Sequence, residues 1–244
     1  MRTLFSNFIY EPLYNALVFL IDIVPGHSAG LAVILLTLII RFILFPLSKK
    51  AIRTQIAMRK IEPEVKKLRD TVKDRTEQSR QLMQLYKDRG VNPFAGIGLI
   101  LIQLPILIGL YLVFRSGLPT IAVERLYSFI SAPDTVLMSF LGIDLAAKSF
   151  WLALAAVITQ YIQINTALPK SVKKENSSFQ EDLAHNLNFQ MRYISPLIIF
   201  PIAYISAVLA LYFTTSNILM TLQEIFVKRK IVQEEEAKGN IQKV

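Results

Sequence analysis

The chain has no cysteine. That excludes disulfide staples, thiolate metal sites, cysteine nucleophiles and a lipid anchor on cysteine. Charge is scarce too: 18% of residues are Asp, Glu, Lys or Arg, against about 25% in an average soluble domain. Histidine occurs twice, as His27 and His185, far apart and without ligand spacing, so both read as solvated side chains. The sequence holds no glycine-rich phosphate loop with lysine, no paired carboxylates within an apolar run for a proton relay, and no metal-ligand cluster. Gly96 and Gly98 form a lone pair of glycines, the pattern of close helix packing. There is no internal repeat and no low-complexity tract.

What is present is apolar. Hydrophobic residues make up 53% of the chain, and they form long runs while the charges collect in blocks between them. That pattern belongs to a bilayer protein. A membrane-spanning helix needs about 20 largely apolar residues. Five segments are expected to span, at residues 29–48, 97–114, 149–168, 193–206 and 207–227. The fourth is short and holds Pro196 and Pro201. It joins the fifth through a tight turn around Ser206. The expected fold class is an all-α membrane protein with five transmembrane helices.

Orientation follows from the basic residues. The net charge is +9, and segment 49–96 carries thirteen Lys/Arg against six Asp/Glu. The tail 228–244 carries five Lys/Arg, and the loop 169–192 adds Lys170, Lys173 and Lys174. Residues 1–28 hold only Arg2, and the connection 115–148 holds only Arg115, Arg125 and Lys148. Positive residues stay in the cytoplasm, which puts the N-terminus outside and the C-terminus inside.

Three segments lie outside the spans. In residues 1–28, Asn7, Glu11, Asn15 and Asp22 recur at one or two helical turns, as expected of an amphipathic helix on the outer membrane surface. A cleaved signal or a sixth span is the alternative. Segment 49–96 has apolar residues at Ile52, Ile56, Ile61, Val65, Leu68 and Val72, then at Leu82, Leu85 and Tyr86, with polar Asp74–Glu77 between. It reads as a cytoplasmic helical hairpin. Pro63 is expected at a helix start or kink, Gly90 at a C-cap and Pro93 as the stop. The hairpin is either a solvated spacer or a docking arm for a ribosome, a partner or lipid headgroups. Residues 171–190 are polar, and residues 228–244 form a basic cytoplasmic tail.

Arg41 is the candidate of greatest interest. It lies about seven residues before the inner end of the first span, roughly 10 Å deep at about 1.5 Å per residue. Arginine there costs about 2.5–3.5 kcal/mol on insertion scales. Snorkelling lowers that cost without explaining the residue. The only acidic residue within a span is Glu224, near the end of the fifth. Arg41 is therefore expected to face a hydrated cavity, with Thr37 and Ser48 on its helical face. Other spans carry polar stripes: Gln103 in the second; Thr159, Gln160, Gln163 and Thr166 in the third; Thr214, Asn217, Thr221 and Glu224 in the fifth. Singly, each stripe reads as interhelical hydrogen bonding. Together with Arg41 they suggest a shared polar groove.

Several of these residues fall in motifs that resemble the YidC family of membrane protein insertases. They are Ile40-Arg41-Phe42 with Phe45-Pro46-Leu47-Ser48-Lys49; Val91-Asn92-Pro93 leading into Leu101-Ile102-Gln103-Leu104-Pro105-Ile106; Tyr161-Ile162-Gln163; and Leu211-Tyr212 with Ser216-Asn217. The resemblance covers about residues 8–230, in the family's order. It implies a non-enzymatic insertase without a cofactor, in the bacterial plasma (inner) membrane, acting on nascent membrane proteins alone or beside the Sec translocon. It implies a hydrophilic groove open to the cytoplasm and to lipid. Arg41 matches the groove arginine and Thr37 the threonine a turn before it. Gln163 best matches the third-span glutamine, with Gln160 the alternative. Tyr212 and Phe213 match the fifth-span aromatic pair. Phe213 departs from the family, where that position often carries a polar tip. The large periplasmic domain and the signal cysteine of other members are missing, so the resemblance is to a minimal form. The ribosome and membrane lipids are further expected partners. Two rival readings are a small anion transporter or channel using Arg41, and a structural assembly factor without a groove.

Overall fold

The computed structural model describes residues 2–92, 97–116, 118, 121–168 and 189–237. Among them the chain is mostly helical. The elements are α1 (Arg2–Phe5), a π-helical turn (Ser6–Tyr10), α2 (Glu11–Ile23), α3 (Ala29–Ile43), α4 (Phe45–Thr71), α5 (Arg75–Asp88), α6 (Ile97–Ser116), a short antiparallel pair β1 (Ser139–Phe140) and β2 (Ile143–Asp144), α7 (Phe150–Ala167), α8 (Ser195–Tyr204) and α9 (Ala207–Ala237). The expectations for Pro93, Gly96, residues 171–188 of the polar segment and the end of the tail fall outside the described residues.

The chain divides into two compact units. One comprises Met1–Ile43 with Leu104–Leu222, the other Leu44–Gln103 with Gln223–Val244. In the first, Tyr14, Leu17, Val18 and Ile21 of α2 pack into one apolar core with Ala29, Ala32, Val33 and Leu36 of α3, Leu110 and Val113 of α6, and Val208 and Tyr212 of α9. A second cluster joins Ala153 and Ala156 of α7, Ala203 of α8, and Ala210 and Phe213 of α9. Alanine lets these backbones approach closely.

The connection between α6 and α7 is tied to this core. Leu137 receives from Ala29 N–H and donates to His27 C=O, both at 3.0 Å. Ser206 Oγ donates to Leu145 C=O at 3.0 Å, and Ala207 N–H donates to Ala147 C=O at 2.7 Å. The tight turn expected at Ser206 is thus anchored to this connection. Gly30 has no room for a side chain, since a Cβ would fall 2.4 Å from the Phe140 ring.

Several expected boundaries change. The segment 29–48 is not one helix: α3 ends at Ile43 and α4 starts at Phe45 with Pro46 in its first turn, where a missing N–H costs nothing. Pro63 is inside α4, neither a start nor a break. Asp74–Glu77 is not simply a polar linker: the Asp74 carboxylate accepts from Glu77 N–H at 2.8 Å and caps α5. The last helix runs on to Ala237, through much of the expected tail. Asn15 is not on an open polar face. It is 1% exposed, donates to Glu11 and Arg125 carbonyls, and accepts from Tyr127 N–H at 2.7 Å.

In the second unit, α4 and α5 pack against each other. Ile61, Val65 and Val91 form its core with Leu82, Leu85 and Tyr86. Gly90 adopts φ +62°, the left-handed value at which glycine pays no Cβ penalty. Val91 N–H then bonds Tyr86 C=O at 2.8 Å and Gly90 N–H bonds Lys87 C=O at 3.0 Å, a Schellman ending.

No single described helix is long and apolar enough to cross a membrane; α3 and α4 meet that measure only as a bent pair. Gln160, Gln163 and Asn165 lower the mean hydropathy of α7, as Asn217, Gln223 and Glu224 do for α9.

Candidate functional site

Arg41 lies two residues before the last residue of α3, and only 5% of it is exposed. Its Nε donates to Ser216 Oγ at 2.9 Å, and its Nη2 donates to the same oxygen. Ser216 belongs to α9 and is itself buried. Tyr212, one turn earlier on α9, lies within electrostatic reach of the guanidinium. The arginine is thus fixed by a neutral hydroxyl from a helix 175 residues away. Phe42 and Ile43, next along α3, are 82% and 70% exposed. Charge inward and bulky apolar side chains outward is the reverse of a soluble surface.

Ser216 entered the sequence reading only as part of the Ser216-Asn217 motif, without a role of its own. Asn217 Nδ2 reaches α7, donating to Ala156 C=O at 3.3 Å and Thr159 Oγ1 at 3.4 Å. Neighbouring residues of α9 therefore bond in two directions, Ser216 to α3 and Asn217 to α7.

The remaining candidates divide. Thr37, Thr214, Thr221 and Thr166 each donate to the carbonyl four residues earlier on their own helix, at 2.7, 2.8, 2.8 and 2.9 Å. They are polar positions with their hydrogens already committed. Gln160 and Gln163 are half-buried on α7. Phe213 packs in the apolar seam of α7, α8 and α9, so it fills space and is not a polar contact. Gln103 is half-buried and belongs to the second unit.

The second unit carries its own charged group. Glu224 is buried and meets Lys228 Nζ at 3.0 Å. Burial pulls the Arg59 guanidinium below its ordinary value, and the carboxylates of Glu224 and Glu62 oppose that pull. Arg53 pairs with Glu234 at 3.0 Å and Arg89 with Glu64 at 2.7 Å. These last two are largely solvated, so each is worth about 0–1 kcal/mol. No group of acidic or histidine side chains that could hold a metal ion occurs among the described residues.

Comparison with known proteins places these residues in a wider setting. Residues 20–235 match the family described as 60Kd inner membrane protein. A membrane protein insertase YidC of Clostridium tetani is 35% identical, with 84% of each chain covered. One of Staphylococcus aureus is 31% identical over 98% of this chain and 79% of its own. A solved structure, described as an active YidC insertase with the first transmembrane domain, is similar at a TM-score of 0.57 and 27% identity. It covers 87% of this chain, which spans 45% of that longer one.

Proposed function

The chain belongs to the 60Kd inner membrane protein family, which its YidC relatives exemplify, and on that premise we propose that it inserts nascent membrane proteins into the bacterial plasma membrane. It performs no covalent chemistry. Five segments span the bilayer with the N-terminus outside, and α4 and α5 form a cytoplasmic arm. The exposed Phe42 and Ile43 support this reading, since lipid is the solvent that suits them.

One observation carries the proposal: a buried guanidinium held by a hydroxyl on another helix. Arginine inside an apolar layer is costly and marks a functional path. Held by Ser216, it places a positive charge within the inner leaflet. A short acidic segment of a substrate is drawn to that charge and sheds part of its water there. Gln160 and Gln163 on α7 offer amides to the same passing backbone. The apolar segment then leaves between α7 and α9, driven by burial of its side chains in lipid. The hairpin receives the substrate, the basic tail from Lys228 onward contacts ribosomal RNA through its charge, and the Sec translocon assists.

Complementation tests this. In cells depleted of their own insertase, the wild-type chain restores insertion of acidic-tailed substrates. Arg41→Ala fails and Arg41→Lys restores part. Full restoration by Arg41→Ala would remove the electrostatic role.

A further inference from the structure

We propose that Ser216 is the positioning residue for Arg41, and that it holds the guanidinium in place while leaving its charge intact. This rests on the reading of Arg41 as the charge that meets the substrate.

Arginine has a long, flexible side chain, and an unheld guanidinium near an inner surface snorkels outward. Here two donors on one edge of the group, Nε and Nη2, converge on the single Ser216 oxygen. Charge-assisted bonds of this kind are among the stronger ones, and they fix direction as well as distance. Ser216 is only 1% exposed, so water does not compete for its oxygen. The next residue, Asn217, turns to α7 instead, at Ala156 and Thr159, which leaves the Ser216 oxygen to α3.

The chemical identity of the partner matters. A carboxylate at 216 would hold the arginine at least as firmly, and would cancel the field that attracts an acidic segment. A hydroxyl accepts the hydrogen bonds and carries no charge. Serine therefore separates two tasks that an acid would set against each other: fixing the arginine, and keeping it positive. An apolar residue at 216 would keep the charge but remove the two hydrogen bonds that aim it.

The test uses the full chain in proteoliposomes with two ribosome-synthesised single-span substrates. One has a short tail carrying aspartates, the other the matching asparagines. The readout is the ratio of their insertion yields within each variant, which a general loss of folded protein does not move. The wild type favours the aspartate tail. Ser216→Ala, which removes both hydrogen bonds from the guanidinium, lowers that preference by about tenfold. Ser216→Thr, which keeps the hydroxyl, keeps the preference. Ser216→Asp, which keeps a tether but cancels the charge, abolishes it. A wild-type ratio in Ser216→Ala overturns the positioning role, and a wild-type ratio in Ser216→Asp overturns the claim that neutrality matters. Should the wild type insert neither substrate, the insertase reading itself falls, an outcome distinct from an unchanged ratio.

Discussion

Asn217 of α9 donates its side-chain amide to the backbone carbonyl of Ala156 on α7 at 3.3 Å. The contact is long for a hydrogen bond, and interhelical bonds in membranes average about 0.6 kcal/mol. It closes the seam through which a substrate is proposed to leave, yet weakly enough to reopen. Asn217→Ala should therefore barely lower thermal stability in detergent and leave insertion intact. Closing the seam covalently should block it. The native chain has no cysteine, so cysteines at 156 and 217 can be joined by a short bifunctional reagent without background. Insertion that continues after joining would place the exit elsewhere.

Asn15 satisfies backbone groups of the connection between α6 and α7 from inside the fold. Asn15→Ala leaves the Tyr127 N–H and the Arg125 C=O without that partner, at a cost of about 1–3 kcal/mol. External protease should cut within residues 121–130 faster in this variant than in the wild type. Equal rates would show that the connection is held by its apolar contacts alone.

Gly30 and Phe140 occupy one space. Gly30→Ala should destabilise by about 1–3 kcal/mol through overpacking. Phe140→Leu in the same chain should recover part of that loss. A double variant whose cost is the sum of the two single changes would mean that the residues do not share the space.

Asp74 caps the second hairpin helix. Asp74→Ala should cost about 1 kcal/mol and raise amide hydrogen exchange in the first turn of α5, while exchange at Leu82 and Leu85 changes little. Uniform loss of protection along α5 would show that the cap holds the whole hairpin.

Much of this was legible in the sequence because it is local. Apolar runs mark the helices, the 49–96 pattern gives a hairpin, Gly90 marks its end, and Arg41 is conspicuous against the leucines and isoleucines around it. What was not legible is relational. Nothing near Ser216 points to a partner on α3, and no period distinguishes it from Ser206. The stripe threonines look like groove residues by spacing, yet Thr37 and Thr214 bond their own helices, a choice that periodicity cannot express. Asn15 looks amphipathic because the backbone that covers it comes from more than 100 residues later. Pro63 looks like a helix start because local preference carries no information about packing along the rest of α4.

The central claim is that a nascent chain passes the face of Arg41. The most direct measurement is photo-crosslinking from single positions to a ribosome-bound substrate arrested midway through insertion. Gln163 and Thr214 are half-buried, and Phe42 projects outward. The account predicts substrate adducts from positions 163 and 214, weakened by Arg41→Ala, and lipid adducts from position 42. Equal substrate adducts at all three positions, or none at 163 and 214, would contradict it.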